Sequence, residues 1–292
     1  MNDIDYYENN YNIFIKKSSK NKNDETNKIR EKIIKIFFEN YKNKNFDPKI
    51  GKNIFDNLSL LLASNNIDKI INTQHIGGLK ANDFVITYMK ENKEINLNID
   101  FKFNSNKITK LSQIKQIFTT DKKIKDFIKK KSYHEFYYDN YLDKILELLE
   151  TKNIILKKPK YEFYLTNINK FSKKKMNEFF ENLKINQKKY TKEFKEIVNK
   201  SIFDYLHNYY NNINIDILTE NLQSAENKAY LLFKNNCFNL ENIDSIKIKS
   251  FNSIKNNNTL VFDTYNNKKI EMLLRWKNGC GCVGSGWQIK II

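Results

Sequence analysis

The sequence is poor in cysteine, proline and glycine, and it has no long apolar run. Three cysteines among 292 residues are too few for a disulfide scaffold. No stretch approaches the roughly 18 consecutive apolar residues that a membrane-spanning helix needs. The first eleven residues are acidic and rich in Asn, so we expect no secretory signal. These absences predict a soluble, cytoplasmic protein with no membrane partner.

Positive charge is abundant, and lysine carries nearly all of it. The chain has 51 Lys and Arg residues against 34 Asp and Glu residues, a formal net charge of +17. Part of this excess follows from an A/T-rich codon bias, which also explains the many Asn and Ile residues. Charge of this size still attracts polyanions. The lysine runs at 122–131, 157–160 and 173–175 therefore predict sequence-independent phosphate contacts, with solvated helix faces as the alternative.

Hydrophobic periodicity predicts both helices and strands. Apolar residues recur at three and four over 25–42 and again over 54–63, which indicates amphipathic helices. Strict alternation over 95–103, after a shorter alternating run at 84–88, predicts a β-hairpin around a turn at 91–93. Further predicted elements are a helix through Leu111–Phe118, a strand at 161–165, helices over 170–210 and several strands in the last 65 or so residues.

The predicted organisation has four parts. They are a flexible N-terminal segment at 1–23, an α/β core at 24–168, a helical segment at 169–225, and a β-rich C-terminal segment at 226–292 packed on the core. The seven glycines lie in three places, where we expect special backbone geometry: Gly51, Gly77–Gly78, and a cluster from Gly279 to Gly286.

The second strand of the hairpin carries the strongest functional signal. Its apolar residues all point to one face, so Asp100 and Lys102 lie side by side on the polar face. Asp83 begins the preceding strand. Pairing through the 91–93 turn is expected to leave Asp83 and Asp100 near opposite ends of the hairpin, so twist or a third strand must bring them together. Two carboxylates and a lysine suit phosphodiester hydrolysis, because hard oxygen ligands hold Mg²⁺.

The segment Asn82-Asp83, followed after sixteen residues by Asp100-Phe101-Lys102, resembles the PD-(D/E)XK nuclease superfamily. The resemblance covers about residues 25–120, and Asn82 stands where the family usually has proline. It implies an α/β (α+β) fold of the restriction-endonuclease type, a mixed sheet core flanked by helices, here with a helical insertion and a β-rich C-terminal part. It also implies that Asp83, Asp100 and the Phe101 carbonyl bind Mg²⁺, with Mn²⁺ able to substitute, and that Lys102 is catalytic.

An acidic residue two positions before a lysine is not specific in this chain. Seven such tripeptides occur, about as many as composition alone produces, and they begin at Asp47, Glu91, Asp100, Asp121, Glu150, Glu193 and Glu226. Only the one at Asp100 lies in a strictly alternating strand with a Gly-Gly pair and an Asp before it. The alternative is an exposed Asp–Lys pair on a solvated sheet face.

Three further residues are additional candidates for the site. Glu31 is a candidate upstream acid, although it lies away from the apolar face of its predicted helix. Gln113 and Lys115 flank the apolar stripe of the next predicted helix, within reach of a phosphate or of the water around a metal. His75, just before the glycine pair, is a catalytic candidate as well, although a lone His is more often structural.

The C-terminal segment predicts a hairpin around a glycine-dense loop. Arg275, Lys277 and Asn278 are candidate DNA-binding residues, because Arg and Asn suit bidentate contacts with bases. The alternative is a structural hairpin in which Trp276 and Trp287 pack as a cross-strand pair. Cys280-x-Cys282 with a distant Cys237 is a poor zinc signature, so zinc is not expected.

Together these features predict a Mg²⁺-dependent DNA endonuclease similar to type II restriction enzymes. The partner is double-stranded DNA, and a homodimer is compatible with paired cuts in both strands. Two alternatives remain open. One is a non-catalytic nucleic-acid-binding protein on a decayed nuclease fold. The other is a repair, junction or RNA nuclease.

Overall fold

The computed structural model describes residues 2–19, 23–76, 82–111, 114–115, 127–168, 177–243, 246–276 and 284–292. These residues form an α+β fold. In chain order the elements are α1 (Asp3–Ile15), α2 (Asn23–Glu39), α3 (Lys52–Ser64), β1 (Lys69–His75), β2 (Phe84–Lys90), β3 (Lys93–Phe103), β4 (Ile114–Lys115), α4 (Tyr133–Asn140), α5 (Leu142–Glu150), α6 (Tyr161–Asn167), α7 (Glu178–Lys189), α8 (Thr191–Tyr209), α9 (Ile215–Ala225), β5 (Ala229–Lys234), β6 (Cys237–Asn242), β7 (Ile248–Lys255), β8 (Thr259–Thr264), β9 (Lys269–Trp276) and β10 (Ser285–Ile291).

The chain divides into two compact units. The first comprises Met1–Ile108 and Glu226–Asp244, and the second comprises Thr109–Ala225 and Ser245–Ile292. We expected 226–292 to form one C-terminal segment. Instead, β5 and β6 complete the sheet of the first unit, because β5 pairs with β3. Within the described ranges, no helix combines the length and the apolar character that a bilayer crossing requires.

The sheet of the first unit has the order β1-β2-β3-β5-β6. Its neighbours are antiparallel except for β3 and β5, which run parallel. The apolar face of β3, predicted from its alternation, contributes Ile99 and Phe101 to the core beneath the sheet. Helices α1, α2 and α3 bury aromatic and aliphatic side chains in the same core. One face of this sheet is thus packed against the three helices, and the polar side chains of β3 lie on the other face.

The N-terminal segment predicted to be flexible contains helix α1. Asn2 caps this helix by accepting a hydrogen bond from the Asp5 backbone at 2.8 Å. Tyr7 and Phe14 are fully buried, and the Phe14 ring lies 4.9 Å from the ring of Phe233. The composition of 1–23 suggested disorder, but two aromatic side chains seven residues apart on one helix face are enough to dock it.

The special geometry expected at the glycines is present at Gly51. Its φ of +69° is left-handed, and its carbonyl accepts a hydrogen bond from the Tyr7 hydroxyl at 2.9 Å. A Cβ at this position would collide with the Tyr7 hydroxyl and with the ring of Tyr11. Gly77, Gly78, Gly279 and Gly281 lie outside the described residues.

The second unit combines helices α4 to α9 with a sheet of order β4-β10-β9-β8-β7. The prediction of a strand at 161–165 was wrong, because this segment forms α6 and buries the adjacent residues Tyr164 and Leu165. The prediction of a helix through Leu111–Phe118 was also wrong in its described part, since Ile114 and Lys115 pair with β10 as the short strand β4. In both segments tertiary pairing and burial override the local pattern.

Truncation of Phe14 tests the docking of α1. We expect Phe14→Ala to lower the free energy of unfolding by about 3–5 kcal/mol, because it leaves a cavity beneath the sheet. Ile13→Ala is the matched control, since the Ile13 side chain is 38% exposed. Urea denaturation followed by circular dichroism measures both. Equal stabilities for the two variants would contradict the docking of α1.

Candidate active site

Asp83 and Asp100 lie together at the open end of the β2–β3 hairpin. Phe84 pairs with Ile99 and Lys90 with Lys93, so the next residues along, Asp83 and Asp100, face each other. The expectation that they lie near opposite ends of the hairpin was wrong. The reason is the two-residue turn at Glu91–Asn92, where both residues have positive φ and set this register.

Backbone hydrogen bonds fix the Asp83 carboxylate against β3. The Asp83 N–H donates to the Ile99 carbonyl at 2.9 Å, and the Phe101 N–H donates to Asp83 Oδ2 at 2.9 Å. The Asn82 amide donates to the Phe84 carbonyl at 2.9 Å and to Asn98 Oδ1 at 3.3 Å. The Asn82 side chain therefore links the start of β2 to β3.

Asp83 is an unusually weak acid in this setting. Burial is the main cause, followed by the charge of Asp100, and together they raise the pKa of Asp83 to about 7. Hydrogen bonding with Asp100 and the charge of Glu31 act in the same direction, while the Phe101 N–H opposes them. Two facing carboxylates cannot both ionise without cost when both are withdrawn from water.

Asp100 is held between two lysines. Lys102 Nζ lies 2.6 Å from Asp100 Oδ1, and Lys228 Nζ lies 2.9 Å from Asp100 Oδ2. The Asp100 side chain is only 8% exposed. Burial alone would raise the pKa of Asp100, but the two ammonium groups outweigh it and the net pKa is lowered. Asp100 is therefore the ionised member of the carboxylate pair, and Asp83 is the one that holds a proton near neutral pH.

Lys228 was missed by the sequence reasoning. It precedes β5 and reaches Asp100 because β5 lies parallel to β3, with Tyr230 opposite Asp100. The signal in the sequence was weak: Glu226-Asn227-Lys228 was one of the seven acid-x-Lys tripeptides. A parallel pairing across 128 residues leaves no local pattern that would single it out.

Glu31 and His75 lie beside this pair. His75 Nε2 is 2.8 Å from Glu31 Oε2, and both side chains are partly exposed. The His75 ring also packs on Phe84, with centroids 5.2 Å apart. Glu31 belongs to α2 and His75 ends β1, so two further elements place polar side chains near Asp83. Glu31 lies close enough to Asp83 for its charge to raise the pKa of Asp83, although its position on the helix face in the sequence argued against a place near the site.

The remaining predicted residues lie in the second unit or outside the described ranges. Gln113, Lys277 and Asn278 are outside them, as are Cys280 and Cys282, and for Lys115 only the backbone is described, in β4. Arg275 lies in β9, where its guanidinium donates to Gln288 Oε1 at 3.2 Å across to β10. Arg275 is exposed, so its side chain is accessible to a ligand.

The two tryptophans of the C-terminal hairpin are structural. Trp276 pairs with Ser285 and Trp287 with Leu274, so the two indoles are diagonal neighbours on one face of the sheet and not directly opposite. Both are 1% exposed. The Trp276 indole donates to the Tyr133 hydroxyl at 3.0 Å, and Trp287 packs on Phe127.

The oxygen donors of the site fit Mg²⁺ in type. Two carboxylates meet at the end of the hairpin, and the Phe101 carbonyl points to the Asp83 side of β3, as its N–H does. A divalent cation would offset both the burial and the negative charge of Asp100 that raise the pKa of Asp83. Against this, no group of three or more His, Cys, Asp or Glu side chains in the described part of the chain is arranged to hold a metal. Mg²⁺ with two carboxylates would keep several waters.

Comparisons of this sequence with known proteins give no indication of its function. No protein-family model matches the chain, and no curated protein matches it. The arrangement of Asp83, Asp100, Lys102 and Lys228 is therefore the feature of the molecule that bears on its function.

The raised pKa of Asp83 predicts a pH-dependent stability in the absence of divalent cations. Between its ordinary value near 4 and its folded value of about 7, the native state binds the extra proton, so stability falls as the pH rises through this window. Asp83→Asn, which keeps an acceptor for the Phe101 N–H, is expected to match the wild type near pH 4, where the carboxyl is still largely protonated in the unfolded chain as well. At pH 8 it is expected to be more stable by on the order of 2–4 kcal/mol.

Urea denaturation in EDTA at the two pH values measures this difference. Glu94→Gln, at an exposed position near the start of β3, is the control and is expected to change neither value. If Asp83→Asn were no more stable than the wild type at pH 8, the raised pKa of Asp83 would be refuted.

Proposed function

We propose that the protein is a Mg²⁺-dependent endonuclease that hydrolyses phosphodiester bonds in DNA. The observation that carries this proposal is the arrangement at the end of the hairpin. There two facing carboxylates and a partly exposed lysine share the polar face of a sheet whose other face is packed against helices. The resemblance to the PD-(D/E)XK superfamily, which assigns Asp83, Asp100 and Lys102 to the site, supports the same proposal.

Each residue has a distinct part in the proposed reaction. Asp83 and Asp100, with the Phe101 carbonyl, would hold Mg²⁺. When bound, Mg²⁺ neutralises the scissile phosphate and lowers the pKa of a bound water. The Lys102 side chain is 37% exposed, so it is accessible to a phosphate as well as to Asp100. A lysine in this place can stabilise the negative charge that develops on the phosphate or position the attacking water.

DNA is the polyanion that the proposal assigns as substrate. The net charge of +17 supports association with any phosphate backbone, and its contribution is sensitive to salt. The size of the chain, with a second unit beyond the one that carries the site, favours a type II restriction-like enzyme over a minimal nuclease. Arg275, exposed on β9, is a candidate for base contacts in that unit.

A non-catalytic nucleic-acid-binding protein is the second candidate. Two observations favour it. Both oxygens of Asp100 are already paired with ammonium groups, and the described residues hold no cluster of three acidic or imidazole ligands. In such a protein the carboxylates and lysines would stabilise the fold, and the basic surface alone would bind the nucleic acid.

Cleavage assays on circular and linear plasmid DNA, on RNA and on branched DNA separate these candidates. We expect nicking or cutting of circular duplex DNA with Mg²⁺ or Mn²⁺ and none with EDTA. Asp83→Asn and Lys102→Ala are each expected to lower the single-turnover rate by about 10²-fold or more. Asp100 is a poorer choice for this test, because its removal leaves the buried Lys228 ammonium without its carboxylate.

Matched controls come from the exposed beginning of β3. Glu94→Gln and Lys93→Ala change the same types of charge and are expected to leave the rate within about twofold of the wild type. Binding of DNA in EDTA should be unchanged in all four variants. Binding without cleavage of any of these nucleic acids would favour the non-catalytic protein, and cleavage of RNA or branched DNA alone would favour the other nuclease type.

A further inference from the structure

We propose that Lys228 is a positioning residue of this site, which orients Asp100 through Oδ2 so that Asp100 can share a Mg²⁺ with Asp83. This inference rests on the proposed function. It adds a residue from outside the Asp-Phe-Lys tripeptide, one that lies just before β5 in the segment that returns to the first unit after residue 225.

The burial of Lys228 is the first observation. Its side chain is 2% exposed, and its ammonium lies 2.9 Å from Asp100 Oδ2. An ammonium withdrawn from water is tolerated only where a carboxylate and hydrogen bonds compensate it. An apolar side chain of similar length would avoid this cost, so the charge of Lys228 is matched to the carboxylate that it contacts, Asp100.

The contrast with Lys102 divides the two lysines by role. Lys102 is 37% exposed and contacts Asp100 Oδ1, so it can reach a substrate. Lys228 cannot reach a substrate through so small an exposed fraction, and it acts only through the groups it touches. The Lys102 and Lys228 ammonium groups each contact one oxygen of the Asp100 carboxylate. These two contacts restrict the rotation of the Asp100 side chain toward or away from Asp83.

The surroundings of Lys228 hold it in place. Its ammonium lies 5.0 Å from the centre of the Tyr230 ring, and Lys102 Nζ lies 5.6 Å from the same ring. The Tyr230 hydroxyl donates to the buried Glu226 carboxylate. Just before β5, the Asn227 carbonyl accepts a hydrogen bond from Asn98 at 3.2 Å, which fixes this segment against β3. Lys228 is therefore a rigid support for Asp100.

Lys228→Met in the full chain tests the inference, because methionine keeps the length of the side chain and removes its charge. We expect the single-turnover cleavage rate at saturating Mg²⁺ to fall about 10- to 100-fold, the usual range for a residue that orients a metal ligand. The Mg²⁺ concentration for half-maximal rate should rise, and the Mg²⁺ dissociation constant from isothermal titration without DNA should rise with it. DNA binding in EDTA should not change.

Two further variants keep the test decisive. Lys234→Met, at the other end of β5, is the matched control and should match the wild type in every assay. If Lys228→Met does not fold, Lys228→Arg replaces it. Arg keeps the charge but cannot reproduce a single ammonium contact in this space, so its rate should fall between the wild type and an inactive variant, with a raised Mg²⁺ requirement.

The outcomes separate this inference from the proposed function. A folded Lys228→Met, or in its place Lys228→Arg, with unchanged rate and unchanged Mg²⁺ affinity would overturn the inference while the nuclease function stands. If the wild type binds Mg²⁺ but cuts no nucleic acid, the proposed function fails, and weaker Mg²⁺ binding by the variant still supports the positioning role. A wild type that neither binds Mg²⁺ nor cuts would overturn both.

Discussion

The ion pairs between Asp100 and two lysines are the interaction on which the site depends. Asp100 lies on the polar face of a sheet whose other face is packed against three helices, and its side chain is nearly buried. Lys102 belongs to the same strand, but Lys228 lies just before β5, which the chain reaches only after the whole of Thr109–Ala225. The parallel pairing of β3 and β5 brings it there, so the site is complete only when the two segments of the first unit have come together.

The facing carboxylate adds a constraint of the opposite kind. Asp83 accepts a backbone N–H from Phe101 and lies across from Asp100, so it is fixed where its own charge is disfavoured. Such an arrangement makes the apo site less stable than an apolar or amide pair would be near neutral pH. This electrostatic penalty is expected of a site that is formed to receive a cation. It is the physical reason for preferring a metal-binding role for Asp83 and Asp100 to a purely structural one.

The sequence predicted the local parts of this account and not the long-range parts. The strict alternation of 95–103 predicted β3 and the shared face of Asp100 and Lys102, since that pattern depends only on neighbouring residues. The alignment of Asp83 with Asp100 was available from the turn at Glu91–Asn92, but its register was misjudged. Lys228 and helix α1 depend on contacts between distant segments, and α6 forms where burial overrides strand propensity, so none of the three had a local signal.

Locating a bound cation tests the central claim most directly. Crystals of the wild-type protein soaked with Mn²⁺, an anomalous scatterer that substitutes for Mg²⁺, should show one peak between Asp83 and Asp100. It should lie about 2.0–2.3 Å from an oxygen of each carboxylate, with Lys228 still in contact with Asp100. Crystals of Asp83→Asn should lack this peak. If no peak appears in the wild type, and both oxygens of Asp100 remain paired only with Lys102 and Lys228, the account of the site as a metal-dependent nuclease is contradicted.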